Sequence, residues 1–502
     1  MTNLISERIF GRLRKAIHAK ETRFVSSWRS SREFVVEICD LPFRRFAACL
    51  AWTRPKAFLV RLAQPIAYRR CSSVQLCATL AALCVLLASC PRTTPAATSA
   101  EVHFPAAESK KGLQVEIVED AIELGVKHAT FNFNLSQLID PQGHADNPNW
   151  EFDGRTYHFA RGYVESMDRR IKSLSDRGVL VYLIVLAYES NPEITRMMLH
   201  PDYSPEAPNH LGAFNTVTDE GRGWFTACLE FMAHRWSRNT DTPTERGRIV
   251  GYIMGNEVNS HWWWSNRGRV EMETFADDYL RTVRIAHDAV RRHSSWARVY
   301  LSLEHHWNIR YPAGDETQCF PGRPFLESFA RQARAGGDFD WHLAFHPYPE
   351  NLFDPEFWKD ETATTNQDTP RITFKNLSLL TSFMRRPEML YRGEPRRVIL
   401  SEQGFHTPKG PEGETLQAAA YCYAYKKVES LDGVDAFILH RHVDHPREGG
   451  LLLGLRGMHP SGDEDRPRKK IYDCFRFADT PQWEEAFRFA LPIVGLDNWD
   501  DL

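Results

Sequence analysis

Two glutamates each close an apolar run that reads as a buried strand. Ile249-Val-Gly-Tyr-Ile-Met-Gly255 delivers Asn256-Glu257, and Arg397-Val-Ile-Leu-Ser401 delivers Glu402, 145 residues later. Cleaving a glycosidic bond takes one carboxylic acid to protonate the leaving oxygen and a second carboxylate to attack carbon or activate water, so paired carboxylates at strand ends are the arrangement to look for. A lone Glu at a strand end is more often a surface ion pair; two at corresponding places point to chemistry. His261-Trp-Trp-Trp-Ser265 follows the first of these strands and Glu304-His-His-Trp307 the next one. Indole faces stack on the C–H faces of pyranose rings, which makes Trp262, Trp263, Trp264 and Trp307 candidate sugar platforms. Three adjacent tryptophans cannot all face one way, so one or two of them pack into the rim. Glu304 is a candidate substrate contact. His305, His306, His346 and His440 are candidates for orienting carboxylates or sugar hydroxyls, or else are satisfied structural histidines.

The elements that must position these groups alternate. Residues 120–126 carry helical spacing, and Ala129, Phe131 and Phe133 then alternate with polar residues as in a strand. A helix over 163–177 stops at Gly178 and leads into Val179-Leu-Val-Tyr-Leu-Ile-Val-Leu186, an apolar run typical of a strand buried on both faces. Five further pairs follow: helix 223–237 with strand 249–255, 272–292 with 297–303, 324–335 with 340–346, 372–385 with 397–402, and 414–430 with 434–440. A terminal helix covers 468–478. Alternation of this length predicts a parallel sheet closed as a (β/α)8 TIM barrel forming a single catalytic domain. Its first strand is expected in Glu101–Phe104 or Leu113–Glu116. Long connections at 188–221, 304–322, 347–370 and 441–467 follow strands, which is the active-site face of such barrels. No GxGxxG turn follows a strand, which argues against a dinucleotide fold.

Gly251-Tyr-Ile-Met-Gly-Asn-Glu-Val258 resembles the strand-four motif of clan A glycoside hydrolases, and Ile399-Leu-Ser-Glu-Gln-Gly404 resembles their strand-seven segment. The resemblance covers roughly residues 113–478. It implies a retaining (β/α)8 enzyme with Glu257 as acid/base, Glu402 as nucleophile and Asn256 as a partner of the sugar 2-hydroxyl. His346-Pro-Tyr348 is similar to the place where this clan sets an aromatic hydroxyl near the nucleophile. Two departures mark a distant family. Asn132 and Asn134 stand after the second strand where the clan often has Arg, and His440-Arg441-His442 replaces the Trp common after the eighth. A retaining pair should lie roughly 5 to 5.5 Å apart, with the Glu257 pKa raised by the ionised Glu402. No cofactor or metal is required.

Two other readings compete. His440 and His442 have the spacing that puts both rings on one face of a strand, as in metal-dependent barrel hydrolases, although there the pair belongs on the first strand. A non-catalytic glycan-binding surface lipoprotein is the other.

Residues 1–70 carry 15 Lys+Arg against 5 Asp+Glu, leaving a net charge of -13 for residues 71–502. A body this acidic is a poor nucleic-acid binder, and a carbohydrate is the expected partner. Residues 1–70 read as a basic extension or a gene start set too far upstream. Residues 71–90 read as a lipoprotein-type signal segment ending in Leu87-Ala-Ser-Cys90, with Cys90 as the lipidated residue and the only membrane attachment. This predicts export as an outer-membrane or cell-surface lipoprotein, otherwise a periplasmic or secreted protein. Residues 91–112 read as tether and barrel entry, 113–480 as the barrel, and 481–502 as a tail packed on it.

Overall fold

The computed structural model describes residues 103–240, 242–458 and 466–502. The basic extension, the signal segment with Cys90 and most of the tether lie outside these residues. Eight parallel strands close into a barrel: β1 (Lys111–Gln114), β2 (His128–Asn134), β5 (Leu180–Leu186), β6 (Ile249–Met254), β7 (Arg298–Glu304), β8 (Trp341–His346), β9 (Val398–Gln403) and β10 (Val434–Leu439). Two more, β3 (Asn149–Phe152) and β4 (Arg155–His158), form a separate antiparallel hairpin. Helices Arg161–Ser175, Asp219–Trp236, Met272–Arg291, Gly322–Ala335 and Gly413–Glu429 cover the outside. The fold is a (β/α)8 TIM barrel.

The strand that hides in the sequence is β1. Its four residues, Lys-Gly-Leu-Gln, carry no β-branched side chain, and Lys111 is buried with its ammonium donating to the carbonyls of Arg476 and Ala478 at 3.1 Å each. Gly112 is required by space, since a Cβ there would lie 2.8 Å from Ile438 and 2.9 Å from His128. The expected segment Leu113–Glu116 overlaps β1; of the other candidate, Glu101–Phe104, only His103 and Phe104 are described, and neither is in a strand. The long connection after β5 holds an unforeseen helix, Pro192–Met198, capped by Asn191. The helix expected over 372–385 is confined to Ser378–Met384.

Strand alternation turns Tyr182 and Tyr300 into the barrel interior. Both are fully buried, and Gly251 gives way to them, because a Cβ would meet Tyr182 at 2.5 Å and Tyr300 at 2.8 Å, whereas the adjacent Tyr252 points outward to Ser237 Oγ at 2.7 Å. This packed floor leaves the strands' C-terminal ends as the open mouth.

The seam between first and last strands is fastened by Asp120. Its carboxylate accepts from His442 Nε2 (2.7 Å), Arg456 Nε and Nη2 (2.7 and 2.6 Å) and Tyr472 Oη (2.7 Å). Burial pushes its pKa up, but these donors outweigh burial and hold it below the ordinary carboxylate range. A depressed carboxylate stabilises the fold above its unfolded pKa and loses that contribution as pH falls below it. Asp120→Ala should therefore cost about 3–5 kcal/mol of unfolding free energy by urea titration at pH 7. The gap between parent and variant should narrow below about pH 4.

Candidate functional site

Counting around the barrel, Glu257 follows the fourth strand and Glu402 lies in the seventh, so both reach the mouth. The chain leaves β6 through Gly255 at φ +75° and Glu257 at φ +40°. A left-handed glutamate costs about 1–3 kcal/mol and persists only where its surroundings hold it. Here its own backbone N–H donates to Ser302 Oγ on β7 at 3.0 Å, and its Oε1 accepts from His346 Nδ1 at 2.9 Å.

His346 ends β8 and is 1% exposed. Its second nitrogen lies 3.0 Å from Ser401 Oγ, immediately before Glu402. One imidazole thus links the strands carrying the two carboxylates, and Glu257, His346 and Glu402 each place a polar atom within 4.8 Å of the others. The Glu402 carboxylate accepts from Tyr348 Oη at 3.3 Å.

The two carboxyl groups have different surroundings. The pKa of Glu257 is raised chiefly by burial; His346 opposes that shift, and the charge on Glu402 adds to it only after these. Glu402 raises it as expected, with desolvation the larger cause. The Tyr348 phenol is driven well above its ordinary value by burial and then by Glu402, which keeps it a hydrogen-bond donor.

Glu304 is a different kind of group. It is 4% exposed, and its oxygens accept from Asn259 Nδ2 (2.6 Å), Ser260 Oγ (2.9 Å) and both the backbone N–H and Nδ1 of His306 (2.8 and 2.6 Å). Burial pushes its pKa up, and His306 more than reverses that, so Glu304 is held ionised. With its oxygens used in tying the β6 and β7 loops together, it is a loop fastener; the expectation of a substrate contact is corrected on that ground.

Glu304, His305 and His306 also place three donor atoms within 4.8 Å, and His305 Nδ1 is buried with no hydrogen-bond partner among the described residues. The tautomers oppose a metal. His306 Nε2 faces Arg371 Nη2 at 3.4 Å and so accepts, which leaves the proton on Nδ1, bonded to Glu304. Coordination through Nδ1 would turn Nε2–H against the guanidinium.

Other expected residues are also re-placed. Trp307 is 2% exposed and packs edge-on against Phe345 and Phe383, so it is core rather than a platform. Trp262 is 9% exposed beneath the Arg269 guanidinium, also poorly placed for stacking. Trp263 is half-buried at the rim, edge-on to the exposed Tyr311 with centroids 4.7 Å apart. Trp264 packs partly against the core. Asn256 is half-buried beside Glu257, and His305 is buried. The His440–His442 metal pair does not form. His440 Nδ1 is bonded to Gln114 Oε1, whereas the fully buried His442 accepts two backbone N–H groups at Nδ1 and donates to Asp120.

Sequence reasoning missed Tyr188, Tyr311, Ser302, Ser401 and Glu448. Tyr188 follows β5, and its phenol is raised by burial and then by Glu402; Tyr311 is raised by burial and then by Glu257 and Glu304, so both look onto the mouth. Tyr188 had the same signal as the glutamates, a polar residue past an apolar strand. The others lie on loops or are small. A cavity of about 410 Å³ sits at the opposite end of the barrel, among Phe104, His128, Arg298 and Asp435, the face where these barrels carry stability.

Because His346 donates to the charged form of Glu257, replacing it with Phe should raise the Glu257 pKa further. A carbon-13 titration of that carboxyl would register the shift to higher pH; an unchanged or lower midpoint would contradict the assignment.

A profile described as "Family of unknown function (DUF5722)" matches residues 103–502. No curated protein matches the sequence. Among solved structures, the chain is similar to the hyperthermophilic beta-glucosidase from Pyrococcus furiosus, with 14% identity over 75% of this chain and 86% of that one, TM-score 0.47. It is similar to a family 39 glycoside hydrolase from the gut symbiont Bacteroides cellulosilyticus WH2, at 14% identity over 76% and 66%, TM-score 0.47. A family 1 b-glucosidase from Thermotoga maritima gives 13% over 72% and 84%, TM-score 0.44.

Proposed function

The chain belongs to the family of unknown function DUF5722, and from its own site we propose that it is a retaining glycoside hydrolase that cleaves O-glycosidic bonds by double displacement. One observation carries the reading: two mouth carboxylates with oxygens within 4.8 Å of each other and unlike surroundings. One oxygen of each within 4.8 Å of the other brings the pair close enough for the carboxyl separation of roughly 5–5.5 Å that a covalent mechanism uses.

In this reading the Glu402 carboxylate attacks the anomeric carbon as the bond to the leaving oxygen breaks. That oxygen takes the proton from Glu257, whose raised pKa keeps it protonated further toward neutrality. The Glu257 carboxylate then removes a proton from water, the hydroxide oxygen attacks the same carbon, and the ester to Glu402 breaks. One water is consumed, and two inversions give retention. Tyr348 donates to Glu402, and Asn256 would meet the sugar 2-hydroxyl. Trp263 and Tyr311 form the aromatic wall on the β6–β7 side. We further propose that this body is exported on a lipid anchor at Cys90; among the described residues, no helix is long and apolar enough to cross a membrane.

Reducing-end release from a polysaccharide and oligosaccharide panel tests the proposal. Glu402→Gln should lose at least about 10⁴-fold in kcat, and Glu257→Gln about 10²–10⁴-fold. Activity requires Glu257 protonated and Glu402 ionised, so kcat/KM should fall as pH rises through the raised Glu257 pKa. Variants that cleave as well as the parent would overturn the assignment, and loss with a chelator restored by zinc would establish a metal-dependent hydrolase instead.

A further inference from the structure

A cavity of about 250 Å³ opens in the mouth between the ends of β1, β2 and β10, lined by Gln114, Glu116, Asn132, Arg170, His440, Arg441 and Glu448 among others. Neither Glu257 nor Glu402 lines it, but its wall is joined to the strand that carries Glu402. The His440 backbone N–H donates to the carbonyl of Gln403, next to Glu402, and Glu448 acts electrostatically on Tyr348 together with Glu402 and Glu257.

Its charges cancel within the wall. Arg441 donates to Glu116 through Nε (3.0 Å) and Nη2 (2.5 Å), and to Glu448 through Nη1. Arg170 supplies the second positive charge, lying over the Phe131 ring at 4.2 Å with one donor spent on the Val115 carbonyl. Two arginines therefore stand against two glutamates. An amide chain sets the remaining hydrogen-bond polarity: His440 Nδ1 pairs with Gln114 Oε1, and Gln114 Nε2 donates to Asn132 Oδ1 at 3.1 Å. With its oxygen used, Asn132, exposed in the mouth, has its two Nδ2 hydrogens to offer.

We infer that this cavity is the glycone subsite and that it selects an uncharged glycosyl unit, with Asn132 as a specificity-determining hydrogen-bond donor. This rests on the glycosidase reading. A sugar hydroxyl both donates and accepts, so it can use Asn132 and Arg170 as donors and the Glu116 and Glu448 oxygens as acceptors. A uronate or sulfate group would meet Glu116 and Glu448, an ammonium would meet Arg170 and Arg441, and either would break a balanced wall. The leaving group then extends toward Trp263 and Tyr311 on the opposite side.

The test measures binding of methyl β-glycosides of glucose, galactose, mannose and xylose to full-length Glu402→Gln by calorimetry, against methyl β-glucuronide. At least one neutral glycoside should bind, at least about tenfold tighter than the glucuronide. Adding Asn132→Asp, which replaces the donor with an acceptor and unbalances the wall, should weaken it at least tenfold, with an unchanged thermal midpoint as the folding control. Arg170→Met should weaken it independently. The inference is overturned if the glucuronide binds as tightly, if no neutral glycoside binds, or if Asn132→Asp and Arg170→Met leave affinity unchanged. Neutral binding without cleavage by the parent would sink the hydrolase reading and keep the subsite, and cleavage with unaltered binding in the cavity variants would do the reverse.

Discussion

The site depends on the two hydrogen bonds of one buried imidazole. His346 stands on the sixth barrel strand and reaches Glu257, after the fourth, through Nδ1 and Ser401, beside Glu402 on the seventh, through Nε2. A ring of fixed size between two fixed partners limits how far Glu257 and Glu402 can separate. It also holds Glu257 in a left-handed backbone geometry that a glutamate does not adopt on its own account. Barrel closure supplies the rest. Asp120 gathers His442, Arg456 and Tyr472 and pins the last strand's loop against the helix that follows the first.

The two carboxyl groups are set apart by burial more than by mutual repulsion. Glu257 is desolvated and so held toward its protonated form, with the Glu402 charge a lesser contribution. Glu402 takes its hydrogen bond from a phenol, and Asn132 stands on the second strand. The wall around Arg441 is balanced internally, so the site handles charge by pairing it locally.

Most of the scaffold was legible because buried strands write themselves as apolar runs, and those runs end at Glu257 and Glu402. The strand that resisted was β1, where Lys111 is buried by capping two helix-end carbonyls and Gly112 by lack of room, neither of which leaves a hydrophobic signature. Composition misled at the aromatics for a related reason. A tryptophan past a strand end has equal claim to the mouth and to the rim, and only three-dimensional packing shows that Trp307 goes to Phe345 and Phe383 and Trp263 to the surface. Glu304 looked like a substrate contact because the donors that occupy it, Asn259, Ser260 and His306, have no pattern of their own. The same holds for Glu448, whose role depends on a loop folding back over β10.

The most direct measurement is intact-protein and peptide mass spectrometry after exposure to 2,4-dinitrophenyl 2-deoxy-2-fluoro-β-glycosides of uncharged hexoses, which form a glycosyl–enzyme that water releases slowly. A single fluoroglycosyl group esterified to Glu402 is the predicted result. Dinitrophenol release with no adduct, or an adduct on any residue other than Glu402, would contradict the covalent mechanism at its centre.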